Sequence, residues 1–372
     1  MGWTGVQYSL LRAGIALAVA QVCLARIDGV DPAVRTLLLL GLPGALALSV
    51  GWRDRAVTLN LLLLIGGLAA FVDGAPLVMP RMDIVLTSGL LILHACVPVT
   101  PFGSWDARAR VDPRGEWIRP SWIGHLAWAG LGLVQLYASY ARWGTPTSPG
   151  FEPGLHGASL LALPLVAFFV LALVRVAFRP SAWIALTLWQ IGWTAASGPT
   201  PDSLALLLLH AFAADPGWWP GRRLSPLAGP TASPARLFYD GDCGFCHRSV
   251  RFILSEDVDT PPELGLRFAP LGSETFQRTL AAHPDLDPEA LPDSLLLATE
   301  DGRILTRSAA VLEIASRLGG LWRLVALIGN ALPSRPLDLA YETLASVRKR
   351  LFAQPEGACP ILSPELRARF DV

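Results

Sequence analysis

Apolar positions follow two different patterns along the chain, and the change comes near residue 215. Before it, continuous apolar runs approach the length of about 20 residues that a helix needs to cross a bilayer. These runs cover residues 8–25, 34–50, 56–72, 83–99, 121–141, 156–178, 182–196 and 202–214. They predict a polytopic α-helical membrane bundle of about eight helices over residues 1–215. The last two runs are short, so either could instead be a re-entrant or interfacial segment.

Residues 216–234 are rich in Pro, Gly and Trp, a composition typical of a linker that starts at a membrane interface. Beyond them, strand-type and helix-type runs alternate. The runs predict strands over 236–239, 266–271, 294–299 and 303–306, and helices over 243–254, 274–282, 308–318, 321–332 and 337–351. Glu300-Asp301-Gly302 predicts a hairpin turn. Ser308 is expected to cap the helix that follows, and Gly319-Gly320 to end it. We therefore expect an α/β domain over 235–359 and a tail over 360–372.

The overall composition agrees with a chain that lies partly in a membrane. Mean hydropathy is +0.44, only 16% of the residues are charged, and there are 13 tryptophans. The formal net charge is +0 and the arginines are scattered, so nothing indicates nucleic-acid binding. The lipid bilayer is the first partner that the sequence predicts.

Arginines in the loops between the apolar runs predict the orientation. With eight crossings and a cytoplasmic N-terminus, ten of these arginines fall inside and four outside. We therefore expect an integral protein of the cell membrane with its C-terminal domain in the cytoplasm. The first run contains Arg12 and no small-residue cleavage site stands out after it, which predicts a retained signal-anchor helix.

Candidate chemistry lies in Cys243-Gly244-Phe245-Cys246, directly after the strand predicted over 236–239. A Cys-x-x-Cys at a helix start places the first sulfur where the helix dipole favours a thiolate, and the second sulfur one turn away. Cys243 is the candidate nucleophile and Cys246 the resolving thiol. We expect Asp240 to assist as a base and Asp242 to cap the helix, although both could simply cap the loop. We therefore expect no cofactor, because a redox-active disulfide between Cys243 and Cys246 would carry the electrons.

Two further interpretations of this cysteine pair stay open. The pair could be a buried structural one, or half of a zinc site with His247 and Cys359. Redox chemistry is favoured because a strand precedes the pair and a helix follows it. Cys359 could also form a mixed disulfide with Cys243 or be incidental. The chain has five cysteines. The remaining two, Cys23 and Cys96, are expected to pack as small apolar side chains, and they are too far apart to form a disulfide.

The residues 239–246, Tyr-Asp-Gly-Asp-Cys-Gly-Phe-Cys, closely resemble the signature of the DCC family of thiol-disulfide oxidoreductases. Asp293-Ser294, Ser308-Ala309-Ala310 and the segment 338–352 fit the same family, so the resemblance covers about 235–359. It implies that Asp240, Cys243 and Cys246 are functional. The predicted order of strands and helices is, by analogy, that of a thioredoxin-like core. Thioredoxin-like proteins place a cis-proline before the third strand, and Pro292 is the candidate here.

The membrane part resembles the HTTM domain, which is shared with vitamin K-dependent γ-carboxylases. The matching pieces are Phe102-Gly103-Ser104-Trp105-Asp106, a following segment with Trp122, and residues 135–142. Arg142 stands where that family has a lysine. An arginine stays protonated and cannot act as the base, so the resemblance implies the fold without carboxylation.

Together these observations predict a membrane-anchored thiol-disulfide oxidoreductase that acts on a protein or small-molecule thiol or disulfide. The alternative is a non-enzymatic assembly or redox-sensing protein whose helical half binds a lipid, a quinone or a peptide.

Overall fold

The computed structural model describes residues 3–28, 30–71, 82–108, 110, 112–115, 117–144, 169–172, 175–200, 202–218, 234–257, 260, 265–284, 295–351 and 364–371. Contacts divide the chain into two compact units. The helical unit comprises Gln7–Arg108 and Ile118–Asp215. The sheet unit comprises Met1–Val6, Ala109–Trp117 and Pro216–Val372. Two short segments from the first third of the chain therefore belong to the unit that holds most of the C-terminal residues.

The helices before residue 215 follow the apolar runs closely. They are α1 (Gly5–Leu24), α2 (Pro32–Val50), α3 (Asp54–Phe71), α4 (Met82–Ala95), α5 (Ser121–Gly144), α6 (Arg179–Ser197) and α7 (Ser203–Ala213). Each coincides with one predicted run, and most of the run over 156–178 lies outside the described residues. Asp31 caps α2 by accepting a hydrogen bond from the Ala33 amide at 2.8 Å. Gly51 ends α2 with φ 68°, a left-handed conformation that glycine adopts without strain.

Two helices in the described residues, α1 and α2, are long and apolar enough to cross a membrane. The apolar helices α4 and α7 have 14 and 11 residues, short of the roughly 20 that a bilayer core requires. The helical N-terminal half is therefore confirmed, whereas a polytopic bundle of about eight membrane helices is not.

The sheet unit contains a small mixed sheet of β1 (Arg236–Tyr239), β2 (Arg267–Pro270), β3 (Leu296–Ala298) and β4 (Ile304–Thr306). The strand order is β2-β1-β3-β4. β1 pairs parallel with β2, antiparallel with β3, and β3 pairs antiparallel with β4. The hairpin between β3 and β4 turns at Gly302, whose φ is 79°, as the sequence predicts.

Helices of the sheet unit complete the predicted element order. They are α8 (Gly244–Glu256), α9 (Glu274–Ala281), α10 (Arg307–Leu318), α11 (Gly320–Ala331), α12 (Ser334–Leu351) and the short α13 (Pro364–Arg367). The core between the sheet, α8 and α10 is built from buried apolar side chains such as Leu237, Leu254, Phe268 and Ile314. Gly319 ends α10 with φ 73°, which confirms the predicted helix end.

The prediction that Ser308 caps α10 is wrong. The N-cap residue is Thr306, and α10 starts at Arg307, one position before Ser308. The Ser308 hydroxyl instead donates a hydrogen bond to the Asp338 carboxylate of α12 at 2.5 Å. The hydroxyl that suggested a cap therefore joins two helices.

Residues 364–371, predicted to belong to a tail, pack into the sheet unit. Leu366 lies in the core, and the Phe268 amide donates to the Arg369 carbonyl at 2.9 Å. Arg369 is fully buried, and its guanidinium donates to Asp257 at 2.6 Å and to the Leu266 carbonyl at 2.9 Å. Through the parallel bridge between Phe268 and Phe370, this segment lies alongside β2 at one edge of the sheet.

Candidate active site

The loop that follows β1 brings the two cysteines to the start of α8. Cys243 is the N-cap residue, with an extended backbone at φ −101° and ψ 112°, and its carbonyl accepts a hydrogen bond from the His247 amide at 3.1 Å. Cys246 follows one turn into the helix. Both are free thiols with little solvent contact, at 3% and 7% exposure. The pair therefore lies where the sequence predicts, and it is buried.

Two hydrogen bonds fix the loop over Asp240, Gly241 and Asp242. The Asp240 carboxylate accepts a bond from the Asp242 amide at 3.0 Å. His247 donates from Nε2 to the Gly241 carbonyl at 2.7 Å, and its ring packs edge-on against Tyr239. His247 therefore fastens the loop that directly precedes Cys243.

Asp242 does not cap the helix. Its side chain is exposed, and the N-cap position belongs to Cys243. The carboxylate that organises the turn is that of Asp240, two residues closer to β1, because it accepts the Asp242 amide. The capping predicted for Asp242 is wrong for this reason.

Asp240 also pairs with Arg348 of α12, with 3.8 Å between the carboxylate and the guanidinium. Both side chains are nearly buried, at 11% and 6% exposure. Arg348 opens the basic run Arg348-Lys349-Arg350, a pattern typical of a solvated helix end, yet its side chain is nearly buried. A signal was available, because Leu337, Tyr341, Leu344 and Arg348 recur at helical spacing and place Arg348 on the apolar side of α12.

Burial dominates the electrostatics of the second thiol. It raises the pKa of Cys246 to about 12, and the hydrogen bond with Cys243 acts in the same direction. Of the two charged neighbours, Arg348 lowers this pKa and Asp240 raises it. In the reduced protein Cys246 is therefore a protonated thiol that needs a proton acceptor before it can react.

A cavity of about 520 Å³ lies against Cys246, and we call it the dithiol cavity. Its walls come from β1, α8, α10, α11, α12 and Leu295, which precedes β3. They include Tyr239, Phe252, Leu312, Trp322 and Arg348. The lining is almost entirely apolar, and it contains Cys246 without Cys243. No sequence pattern indicates this cavity, because its walls come from helices far apart in the chain.

The other predicted site residues do not join this group in the described structure. Pro292 and Cys359 lie outside the described residues. Cys23 is buried in α1, and Cys96 is exposed after α4. Among the residues described, no three metal-ligating side chains come together.

Comparisons with known proteins agree with this geometry. Residues 237–354 match the DCC1-like thiol-disulfide oxidoreductases. The uncharacterized protein YuxK of Bacillus subtilis (strain 168) is 31% identical over 134 residues, which is 36% of this chain and 91% of that protein. The chain belongs to the DCC1-like thiol-disulfide oxidoreductase family. Its DCC1-like region contains all of the dithiol site described above, from Tyr239 to Arg348.

No solved structure matches the chain. The DCC1-like match starts after the helical unit, so the resemblance of that unit to the HTTM domain stays a prediction.

Proposed function

We propose that this protein is a membrane-anchored thiol-disulfide oxidoreductase whose reactive pair is Cys243 and Cys246. The observation that carries the proposal is the placement of this dithiol at the start of α8, beside the Asp240–Arg348 ion pair, in a chain of the DCC1-like family. The sheet supports it, because a β2-β1-β3-β4 order with β3 and β4 antiparallel agrees with a thioredoxin-like core. The redox-active disulfide supplies the chemistry.

The reaction starts with attack by the Cys243 thiolate on a substrate disulfide. One substrate sulfur becomes bonded to Cys243, and the other leaves as a thiolate that takes up a proton. Cys246 then loses its proton and attacks the Cys243 sulfur, which releases the second substrate thiol and forms the Cys243–Cys246 disulfide. The substrate disulfide gains two electrons and the protein dithiol loses two.

Asp240 is the proposed acceptor of the Cys246 proton. Its carboxylate influences the Cys246 thiol directly, and its pairing with Arg348 fixes its orientation. Arg348 in turn favours the Cys246 thiolate once the proton has left. Both side chains therefore assist deprotonation of Cys246, Asp240 as the proton acceptor and Arg348 by stabilising the thiolate that forms.

Burial of Cys243 adds a requirement. At 3% exposure its sulfur reaches a substrate only when neighbouring structure opens, and we place the opening in the loop 240–242, which the hydrogen bond from His247 to Gly241 holds in place. Loop opening is therefore part of the proposed cycle.

Single-cysteine variants of the full chain test the proposal. Cys243→Ser abolishes reduction of a disulfide substrate, whereas Cys246→Ser stops the reaction at a covalent complex that mass spectrometry detects. Cys96→Ser is the control, since Cys96 lies in the helical unit and leaves turnover unchanged. Wild-type turnover by Cys243→Ser would exclude the proposal.

Anchoring to the membrane is supported by α1 and α2, which carry large apolar side chains on exposed faces. Leu17 is 60% exposed, Leu40 64% and Leu46 67%. Such surfaces are stable against lipid and unfavourable against water. We expect the protein to stay in the membrane fraction after a high-salt, alkaline wash and to be released by detergent. Release by the wash alone would contradict the anchor.

The burial of both thiols also favours a second function, a redox sensor without turnover. In that case oxidation of the dithiol changes how tightly the helical half binds a partner. The proposed partner is a lipid, a quinone or a peptide. Multiple turnovers by the wild-type chain separate an enzyme from a sensor, because a sensor reacts once.

A further inference from the structure

The dithiol cavity reaches one sulfur of the pair. Cys246 lies in its wall together with Phe245, Ser249 and Phe252 from the same helix, and Cys243 does not contribute to the lining. A molecule inside the cavity is therefore next to Cys246. It can approach that sulfur from the cavity without contacting Cys243.

The entrance to the cavity is apolar. Three of its lining residues, Val311, Val325 and Leu344, have 44%, 49% and 45% of their surface exposed, so they form part of the rim. A thiol that carries several charges would lose hydration on entering, and burial of an unpaired charge is strongly unfavourable. A thiol with an aliphatic or aromatic body gains free energy from the same transfer.

The size of the cavity indicates a small molecule. Its volume of about 520 Å³ lies within the range of roughly 300 to 1,000 Å³ that small-molecule sites occupy. The walls come from four helices, β1 and Leu295, so they surround an occupant on several sides. Arg348 places one positive charge in this lining, where it favours a sulfur in the thiolate form.

We propose that the dithiol cavity binds a small thiol with an apolar body, and that this thiol reduces the oxidised protein by attacking the Cys246 sulfur. This inference rests on the proposed function, because it requires the Cys243–Cys246 disulfide to form. It assigns the two sulfurs to different partners, Cys243 to the disulfide substrate and Cys246 to the thiol that restores the dithiol.

The bonds and electrons balance in two steps. The thiolate of the bound molecule attacks Cys246, a new disulfide forms between them, and the Cys243–Cys246 bond breaks with its electron pair on Cys243. A second thiol, from the same molecule or from another, then attacks the sulfur of the bound molecule and releases Cys246, which takes up a proton. The apolar thiols are oxidised to a disulfide and the protein returns to the dithiol.

Leaving-group chemistry supports attack at Cys246. A disulfide breaks faster when the departing thiolate is the weaker base. Attack at Cys246 expels Cys243, which lies at the N-terminus of α8, where the helix dipole stabilises a thiolate. Attack at Cys243 would expel Cys246, whose pKa is raised to about 12.

Straight-chain alkanethiols of increasing length are the probes, with glutathione as the hydrophilic comparison. We expect the rate at which the full chain's Cys243–Cys246 disulfide is reduced to rise about fourfold per added CH₂ until the cavity is filled, because each buried CH₂ contributes about 0.8 kcal/mol. Alkylation of the released thiols followed by mass spectrometry gives the rate. Equal rates for all alkanethiols and glutathione would overturn the inference.

A cavity-filling variant separates binding in the cavity from partition into detergent. Ala345→Trp puts a large side chain into the lining, and we expect it to remove the dependence on chain length. Ser346→Trp, at the next position of α12 and exposed, is the matched control that keeps it. Should Ala345→Trp fail to fold, Val311→Trp at the rim replaces it. Unchanged dependence in a folded cavity variant would refute the site.

Methylthio adducts of single-cysteine variants identify the sulfur that is attacked. In Cys243→Ser the adduct is on Cys246, and its removal should accelerate with alkanethiol length. In Cys246→Ser the adduct is on Cys243, and the rate of its removal should not depend on alkanethiol length. The reverse result assigns the incoming thiol to Cys243 and contradicts the inference. A wild-type chain that never forms the disulfide would instead overturn the proposed function, and this inference with it.

Discussion

Asp240 and Arg348 act on Cys246 with opposite sign. Arg348 stabilises the Cys246 thiolate and lowers the pKa, whereas Asp240 destabilises the thiolate and raises it. Replacement of Arg348 by Gln should therefore raise the pH at which Cys246 reacts, and Asp240→Asn should lower it.

Alkylation rates of Cys246 against pH, in a Cys243→Ser background, measure both shifts. The background keeps Cys243 from competing for the reagent and is the reference for both variants. Shifts in the same direction would show that the ion pair acts through packing instead of charge.

In the proposed cycle, the loop that His247 holds through the Gly241 carbonyl opens to expose Cys243. Loss of one such hydrogen bond costs about 1 kcal/mol, which corresponds to about a fivefold change in the loop-opening equilibrium. We expect His247→Ala to increase Cys243 alkylation about fivefold.

The control is His283→Ala, which removes a histidine that bonds Thr279 and Gly302 elsewhere in the sheet unit. An unchanged alkylation rate in His247→Ala would show that the loop is held closed by other contacts.

The position of the two cysteines in the fold could be predicted from the sequence, and their environment could not. The spacing of Cys243 and Cys246 after a β-type run is a local signal, and it predicted their position at the start of α8. The ion pair of Asp240 with Arg348 joins residues that are far apart in the chain, and only tertiary packing brings them together. The helical spacing on α12 pointed to a buried Arg348 without indicating its partner.

Among the secondary-structure elements, the segment after α13 joins β1 to β2 through Asp371. Asp371 accepts from Arg236 of β1 at 2.8 Å and from Arg267 of β2 at 2.9 Å. The hydrogen bond with Arg267, together with Arg236, lowers the pKa of Asp371 below its ordinary value. Because the folded-state pKa is depressed, the stabilisation is present above the unfolded value, near about 3.9, and is lost as the pH falls through the folded value.

We therefore expect the protection of β1 and β2 amides against hydrogen exchange to fall below about pH 4 in the wild-type chain. Asp371→Asn should weaken protection near neutral pH, by about 1 to 3 kcal/mol in opening free energy, and should remove this part of the acid dependence. Glu274→Gln on exposed α9 is the control, since its pairing with Arg278 lies in solvent. Equal acid sensitivity in Asp371→Asn and the wild type would disprove the linkage.

Elements of the sheet unit were predicted well because their signals are local. β1 has the predicted bounds, and the predicted helices differ from α8 to α12 by at most a few residues at their ends. The assembly of the unit depends on long-range contacts, which periodicity does not contain. The Arg114 guanidinium donates to the Asp257 carbonyl at 3.2 Å, and Arg251 donates to the Arg110 carbonyl at 2.6 Å. No pattern in the sequence connects residues 109–117 with the end of α8.

For the whole molecule, Cys96 can report the orientation in a membrane, because it is the exposed cysteine among those that the structure describes. Cys23, Cys243 and Cys246 are buried, whereas Cys96 is exposed after α4. The proposed orientation places Cys96 at the cytoplasmic side. We expect a membrane-impermeant maleimide to label it in inverted vesicles and not in intact cells.

A chain with Cys96→Ser is the control for reaction at other cysteines. Labelling of Cys96 from the outside of intact cells would reverse the orientation, and the proposed reducing role would then face an oxidising compartment.

Glu256, at the end of α8, connects the sheet unit with the first residues of the chain. Its carboxylate accepts from the Thr4 hydroxyl at 2.6 Å, from the Val6 amide at 3.3 Å and from the Trp322 indole. A fragment cut at residue 216 would contain Glu256 and Trp322 but leave the carboxylate without two of its donors. Excision of the sheet unit therefore needs residues 1–6 as well as residues 109–117 supplied as separate peptides. The same contact bridges 252 positions of sequence. Since closing so long a loop is slow and entropically unfavourable, residues that are synthesised among the first are among the last to reach their place.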